Sequence, residues 1–355
     1  MDDTLLTLRM QSMVETQIFS KPLLLSLFCG IGGLDIGFER SKYEVGLAFD
    51  IRQSSIDSYN RNRTAKNGHV IDVRDITIEK LDNLFGSEFR PIGIIGGPPC
   101  QGFSVSNVHQ DINDERNSLS FSYANLLKKL NDRSPVHFFV FENVKGLIGS
   151  KHSSTFEKIK SGFREAGFNL FPFVLNSKNF GIPQSRERLI MIGLNRKLYR
   201  NVDISLPLKL DGYEKEPITV KMAIGGLPEP VHFADVSSNK AAISYHPNHW
   251  CMTPKSAKFR NEGTLVPGGG FGRSFRTLIW DKPSPTVAYG NREVHVHPSG
   301  KRRLSVYEAM VLQGFGRDYV LEGNLSQQFT QVSEAVPPPL SEVIARSITA
   351  KLHLG

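Results

Sequence analysis

The 355-residue chain is poor in cysteine, with only Cys29, Cys100 and Cys251. An odd, sparse set of thiols argues against a disulfide framework and for a reducing compartment. No apolar run approaches the roughly 18 residues needed to span a bilayer, so no membrane role is expected. The opening, MDDTLLTLRMQSMVETQIFSKP, starts on two acids and lacks a basic n-region and an unbroken h-region, so no signal peptide is expected. Internal repeats and low-complexity tracts are also missing.

What is there describes a globular chain. Its hydrophobic content of 39% and charged content of 22% suit a core of ordinary size, in one large domain plus a smaller one. Forty-three basic against 35 acidic residues give a net charge of +8. Such an excess suits a solvated surface, or a polyanion whose phosphates shed counterions to lysine and arginine.

Short apolar runs at 22–28, 45–49, 92–97, 137–143, 171–175 and 188–194 read as buried strands. Between them 118–130 and 155–167 read as helices, the second closing at Gly167. This alternation predicts an α/β fold, a parallel sheet with helices on both faces and ligands at its carboxyl edge. From about 196 to 280 the strands become irregular and histidines, turn residues and basic residues rise, as expected of a smaller, loop-rich domain. Helical patterns return in SVYEAMVLQGF and LSEVIARSITAKL.

Four stretches carry chemistry. LSLFCGIGGLDIGFE places Gly30, Gly32 and Gly33 between a strand and a helix, where glycine lets a ligand approach the backbone. Asp35 stands where a dinucleotide fingerprint needs glycine, which weakens a dehydrogenase reading. Asp50 ends the next strand at about the spacing, roughly 20 residues, of a ribose-binding carboxylate. Asp75, after a third strand-like run, could accept from an adenine amino group. Together these suit an adenosine-containing cofactor. IGIIGGPPCQGFS presents Cys100 on a loop stiffened by Pro98 and Pro99. A free thiol titrates near about 8.5, so this one needs activation or an activated electrophile. The zinc deaminase pattern fails, because Phe103 replaces its second cysteine and no histidine begins an H-x-E. HFFVFENVKGL ends an apolar strand on Glu142, whose carboxyl apolar walls would push toward its protonated form. In GIPQSRERL, alternation along an extended segment would put Arg186 and Arg188 on one face and Glu187 on the other. Planar guanidiniums there suit carbonyl oxygens and phosphates.

In this order, with DKPSPTV, RRLSVYEAMVLQGF and QVSEAVPPPL after them, these motifs resemble the DNA (cytosine-5) methyltransferases over nearly the whole chain. The resemblance implies a Rossmann-like, doubly wound, mostly parallel sheet of the S-adenosylmethionine-dependent methyltransferase fold, with a small loop-rich target-recognition domain. By it, 20–200 completed by 325–355 forms the catalytic and cofactor-binding domain. Residues 201–324 form the target-recognition domain and hinge, and 1–19 an N-terminal extension. It implies that Cys100 attacks C6 of a cytosine flipped from the duplex, while Glu142 bonds N3 and the exocyclic amine. Arg188 would contact O2, and Arg186 would hold the neighbouring backbone or the catalytic loop. Phe28, Gly30, Ile31, Gly33, Asp50, Ile51, Asp75, Ile76, Pro99 and Leu119 would line the S-adenosylmethionine site, whose product is S-adenosylhomocysteine. No metal is expected, and His246, His249 and Cys251 read as ordinary loop residues. Two departures stand out. Asp50 replaces the usual glutamate, and Ser333-Glu334 replaces the usual Gly-Asn, which would set Glu334 against the cofactor's carboxylate unless it turns away or pairs.

The implied partner is double-stranded DNA, with the basic glycine loop 266–276 suited to close approach. The implied setting is a prokaryotic cytoplasm, at the nucleoid while acting, in restriction-modification with a cognate endonuclease or as an orphan enzyme. A tRNA methyltransferase of the same fold is disfavoured, because those relatives carry Cys-Phe-Thr in the small domain and here Met252 follows Cys251. A catalytically silent DNA-binding regulator would have eroded catalytic positions, yet Cys100, Glu142 and Arg188 are all present.

Overall fold

The computed structural model describes residues 21–99, 117–200, 215–239, 241–261, 263–270, 275–286 and 295–352. Cys100, the extension 1–19 and the centre of the glycine loop 266–276 lie outside them.

The apolar runs form one sheet because strands covered on both faces need little polar alternation. In chain order the elements are β1 (Leu23–Leu27), α1 (Gly33–Arg40), β2 (Glu44–Asp50), α2 (Gln53–Arg61), β3 (Gly68–Val70), α3 (Ile78–Phe85) and β4 (Gly93–Gly96). Then come α4 (Asn117–Arg133), β5 (Phe138–Val144), α5 (Ser153–Glu165), β6 (Phe168–Asn176) and β7 (Glu187–Asn195). The spatial order is β3-β2-β1-β4-β5-β7-β6. The first five strands are mutually parallel, and β7 runs antiparallel to both β5 and β6. Gly167, at φ 100°, ends α5 as expected and turns the chain directly into β6.

Alternate residues of each strand feed two cores. Leu25, Leu27, Phe139 and Phe141 pack with Tyr123 of α4 and Phe163 of α5, whereas Leu24, Phe138 and Val140 pack with Phe38 of α1 and Ile344. Ile344 belongs to α8 (Pro338–Leu352), which follows α6 (Val306–Leu312) and α7 (Leu325–Glu334). The long C-terminal helix therefore closes the same face as α1, although some 300 residues of chain separate them.

Residues 215–286 carry two short helices, Val220–Ile224 and Phe233–Ser237, and strands of only two residues. Their core of Val220, Ile224, Leu278, Leu304 and Leu312 abuts a third cluster, in which Val306 and Met310 of α6 join Ile31 and Phe329. A buried cation ties this junction. Arg302 donates to Glu308 at 2.9 Å and to Glu229 at 2.6 Å, and Glu308 also completes a capping box with Ser305.

Candidate active site

Strand register brings the singled-out residues to one edge. Leu27 pairs with Phe49 on one side and Gly96 on the other, and Gly96 pairs with Phe141. Asp50, Phe28, Gly97 and Glu142 thus stand side by side at the carboxyl ends of β2, β1, β4 and β5. Three strand spacings of about 4.8 Å separate Asp50 from Glu142, or about 14 Å, the scale of a nucleoside with a short arm.

At the β1 end the turn is strained in a way that suits a ligand. Phe28, Gly30 and Gly32 all adopt positive φ, at 55°, 53° and 77°. A Cβ on Gly30 would meet open space, so the turn presents bare backbone there. Gly33, by contrast, packs against the Val336 carbonyl with no room for a side chain. Asp50 accepts from the Gly30 amide at 3.0 Å and the Arg52 amide at 2.9 Å. Burial pushes its carboxyl above the ordinary value, and those two amides oppose the shift. Ile51 beside it is 63% exposed, an apolar surface of the kind a purine ring covers.

The other cofactor candidates divide by how they are presented. Phe28 is half-buried, Leu119 is half-buried in the first turn of α4, and Pro99 is exposed. Asp75 is exposed at the end of a 3-10 turn, Val73–Asp75. Ile31 and Ile76 are buried in core clusters, so only their backbones can face a ligand. The Ile31 carbonyl is in addition held by the Tyr319 hydroxyl. The open cradle at Gly30, the carboxylate of Asp50 and the apolar face of Ile51 fit an adenosine moiety.

At the β5 end Glu142 is 8% exposed. Apolar walls are only half of its surroundings, since Arg188 Nε lies 3.1 Å from Glu142 Oε1. Val144 pairs with Arg188 and Glu142 with Ile190, so the two charged side chains are diagonal neighbours across β5 and β7. Gly97 faces the same carboxylate, and a Cβ there would sit 2.6 Å from Oε2. Asn143 Nδ2 donates to the Pro98 carbonyl at 3.2 Å. The backbone leading into Cys100 is thereby fastened to the strand that carries Glu142.

Arg186 is buried, Glu187 exposed and Arg188 half-buried, as alternation along the segment would give, but the two guanidiniums take different partners. The extended segment is interrupted at Arg186, whose amide and carbonyl are taken by Asn176 and Ser177. Its side chain is 1% exposed and donates to the Ser333 carbonyl at 2.9 Å. That hydrogen bond ties Arg186 to the C-terminal end of α7. The departure at Glu334 also resolves. Both of its oxygens are gripped by the Arg52 guanidinium, Nη2 to Oε1 at 2.9 Å.

The two described cysteines are buried, and burial pushes the Cys29 thiol well above its ordinary value, the wrong direction for a nucleophile. His249 spends both ring nitrogens on Ser305 Oγ (2.9 Å) and the Pro228 carbonyl (2.8 Å), and His246 stacks on Tyr307. Among the described residues no group of three or more His, Cys, Asp and Glu could hold a metal. In the sequence Asp35 shows only as a break in a glycine pattern. It is fully buried and accepts from Ser26 Oγ at 2.8 Å and the Tyr59 hydroxyl at 2.9 Å, beneath the glycine turn. Arg52 left no local signal, because its partner lies 282 positions away.

The seven-stranded, mostly parallel sheet carries an open glycine turn beside a carboxylate at one end of its carboxyl edge and the Glu142–Arg188 acid–guanidinium pair at the other, a layout that suits a transferase using a nucleoside cofactor. Residues 23–350 match the family model of C-5 cytosine-specific DNA methylases, and the chain belongs to that family. It is 30% identical to the Type II methyltransferase M.NmeDI of Neisseria meningitidis serogroup C, over 94% of this chain and 84% of that protein. It is 29% identical to the Type II methyltransferase M.MthTI of Methanothermobacter thermautotrophicus, over 92% and 97%. The fold is that of a DNA modification methyltransferase encoded within an E. coli prophage, with a TM-score of 0.75 at 24% identity over 94% of this chain and all of the other. The activity is S-adenosylmethionine-dependent methylation of cytosine in DNA.

Proposed function

We propose that the chain methylates C5 of a cytosine flipped out of a specific duplex sequence, with Cys100 as nucleophile and Glu142 and Arg188 as the groups that hold the base. The observation that carries this is the Glu142–Arg188 pair, fastened through Asn143 to the backbone that leads into Cys100. A cytosine ring is a poor nucleophile at C5. Addition of the Cys100 thiolate to C6 moves the C5–C6 π pair onto C5, and Glu142 stabilises N3 as charge changes there. Arg188, whose Nε lies 3.1 Å from Glu142 Oε1, can turn to O2 of the incoming base. The cofactor supplies an electrophilic methyl group when bound. Asp50, Ile51, Phe28 and the backbone of 30–33 and 76 would hold it. Once C5 carries the methyl group, a base takes the C5 proton, the C5–H pair re-forms the C5–C6 double bond, and Cys100 leaves C6 as the thiolate that attacked it. Flipping is required because C6 is inaccessible within the base stack.

In this reading residues 20–200 with 325–355 form the catalytic domain, and 201–324 the target-recognition domain and hinge. The names of the relatives favour a restriction-modification setting in a bacterial or archaeal cytoplasm, with an endonuclease that cuts the same site. No helix among the described residues is long and apolar enough to cross a membrane. The test is to incubate the protein and Cys100→Ala with unmethylated duplex DNA and methyl-labelled S-adenosylmethionine, then to map sites by bisulfite sequencing. Label confined to the wild type at one short sequence supports the proposal. No label in the wild type, with DNA bound, refutes it.

A further inference from the structure

Arg52 and Glu334 are each at the wrong end of a helix. Arg52 is the N-cap of α2, where the helix dipole disfavours a cation, and Glu334 is the last residue of α7, where it disfavours an anion. Their side chains are 38% and 48% exposed, and such pairs contribute little stability to a fold. Helix electrostatics therefore does not account for their positions, and solvent screens much of what their two-pronged contact adds to the fold. Their place in the site does account for them. Arg52 follows Asp50 and Ile51, and its amide donates to the Asp50 carboxylate. The backbone around Glu334 is secured to the site from three sides. Arg186 holds the Ser333 carbonyl, Gln313 holds that of Ala335 at 2.5 Å, and Val336 packs on Gly33.

Strand order says what lies between them. The carboxyl edge runs from β3, followed by Asp75, through Asp50 on β2 and the 28–33 turn after β1, to Pro98 after β4 and Glu142 on β5. A nucleoside with its purine near Ile51 and Asp75, its ribose at Asp50 and its reacting group toward Glu142 must lay its amino-acid arm over the β1 turn. The segment that packs on that turn is the one bearing Glu334. An α-amino acid carries an ammonium and a carboxylate side by side, and the Arg52–Glu334 pair offers the complement of each.

We propose that Arg52 and Glu334 form a paired receptor for the amino-acid end of the cofactor, Arg52 taking its carboxylate and Glu334 its ammonium. This rests on the reading that the glycine-turn end of the sheet holds S-adenosylmethionine. In this structure each group neutralises the other, and ligand binding would exchange one exposed ion pair for two. Glu334 in this arrangement attracts the ligand's ammonium, and Arg52 screens it from the ligand's carboxylate.

The test is calorimetric binding of two ligands to the full chain without DNA. S-adenosylhomocysteine carries the amino-acid arm, and 5′-methylthioadenosine has the same adenosine and thioether without it. Glu334→Gln and Arg52→Gln should each weaken S-adenosylhomocysteine by about tenfold or more, as loss of one charged hydrogen bond does. Both should leave methylthioadenosine within about twofold. Arg52→Lys, which keeps the charge, should retain most of the S-adenosylhomocysteine affinity. Equal losses for both ligands would make the pair a structural tie only, and no loss for either would make it an ordinary surface pair. Either result overturns the proposal. A wild-type protein that binds neither ligand would instead overturn the cofactor reading beneath it.

Discussion

Replacing Asp35 by asparagine should remove a pH dependence from the stability of the sheet beneath the glycine turn. Asp35 is fully buried in the first turn of α1, and burial raises its carboxyl from 3.8 to about 6. The Arg63 guanidinium and the hydroxyls of Ser26 and Tyr59 pull it down, and Glu39 pushes it up. The folded state thus holds this proton more tightly than the unfolded chain does. Its stabilising contribution is full below about pH 4 and is lost as pH rises through about 6. A difference of about two pKa units corresponds to about 3 kcal/mol across that window. Asparagine keeps the shape and an acceptor for one hydroxyl but does not titrate. Denaturant unfolding of both proteins at intervals from about pH 4 to 7 gives the difference in stability directly. That difference should move by about 3 kcal/mol in favour of Asp35→Asn as pH rises. A difference constant across the range would refute a buried, proton-linked carboxyl at this position.

Glu142→Gln should keep the fold, checked by circular dichroism, while methyl transfer falls by about 10²–10⁴, the range for a positioned acid or base. Gly33→Ala should destabilise the protein by about 1–3 kcal/mol in thermal unfolding, because its Cβ would press on the Val336 carbonyl and separate α1 from α8. Arg302→Met should cost about 3–5 kcal/mol, since Glu308, 1% exposed, would be left as a buried charge without its cation. If Arg302→Met unfolds like the wild type in denaturant, that triad is not a buried ionic junction.

Much of the central sheet was legible in the sequence, for a physical reason. Parallel strands covered on both faces are continuous apolar runs, so 92–97 and 137–143 announced β4 and β5 without help from tertiary contacts. The glycine turn was legible because left-handed backbone next to a ligand selects glycine, and Gly30 and Gly32 do adopt it. Residues 215–286 were legible only as an absence of pattern, since strands of two residues have no periodicity to read.

Composition, order and local spacing by themselves determined the class of fold, the identity of the residues at the sheet edge and the chemistry they suit. The tertiary structure decided which of them meet. Arg186 and Arg188, two residues apart, take different partners: one guanidinium reaches the Ser333 carbonyl and the other Glu142, and both partners are brought there by remote elements. Arg52 and Glu334, 282 residues apart, converge because α8 docks on α1 and carries the end of α7 to the glycine turn. A sequence specifies local conformation through each residue's own dihedral and burial preferences. A charge's partner is chosen by packing of remote elements, and only the assembled chain contains it.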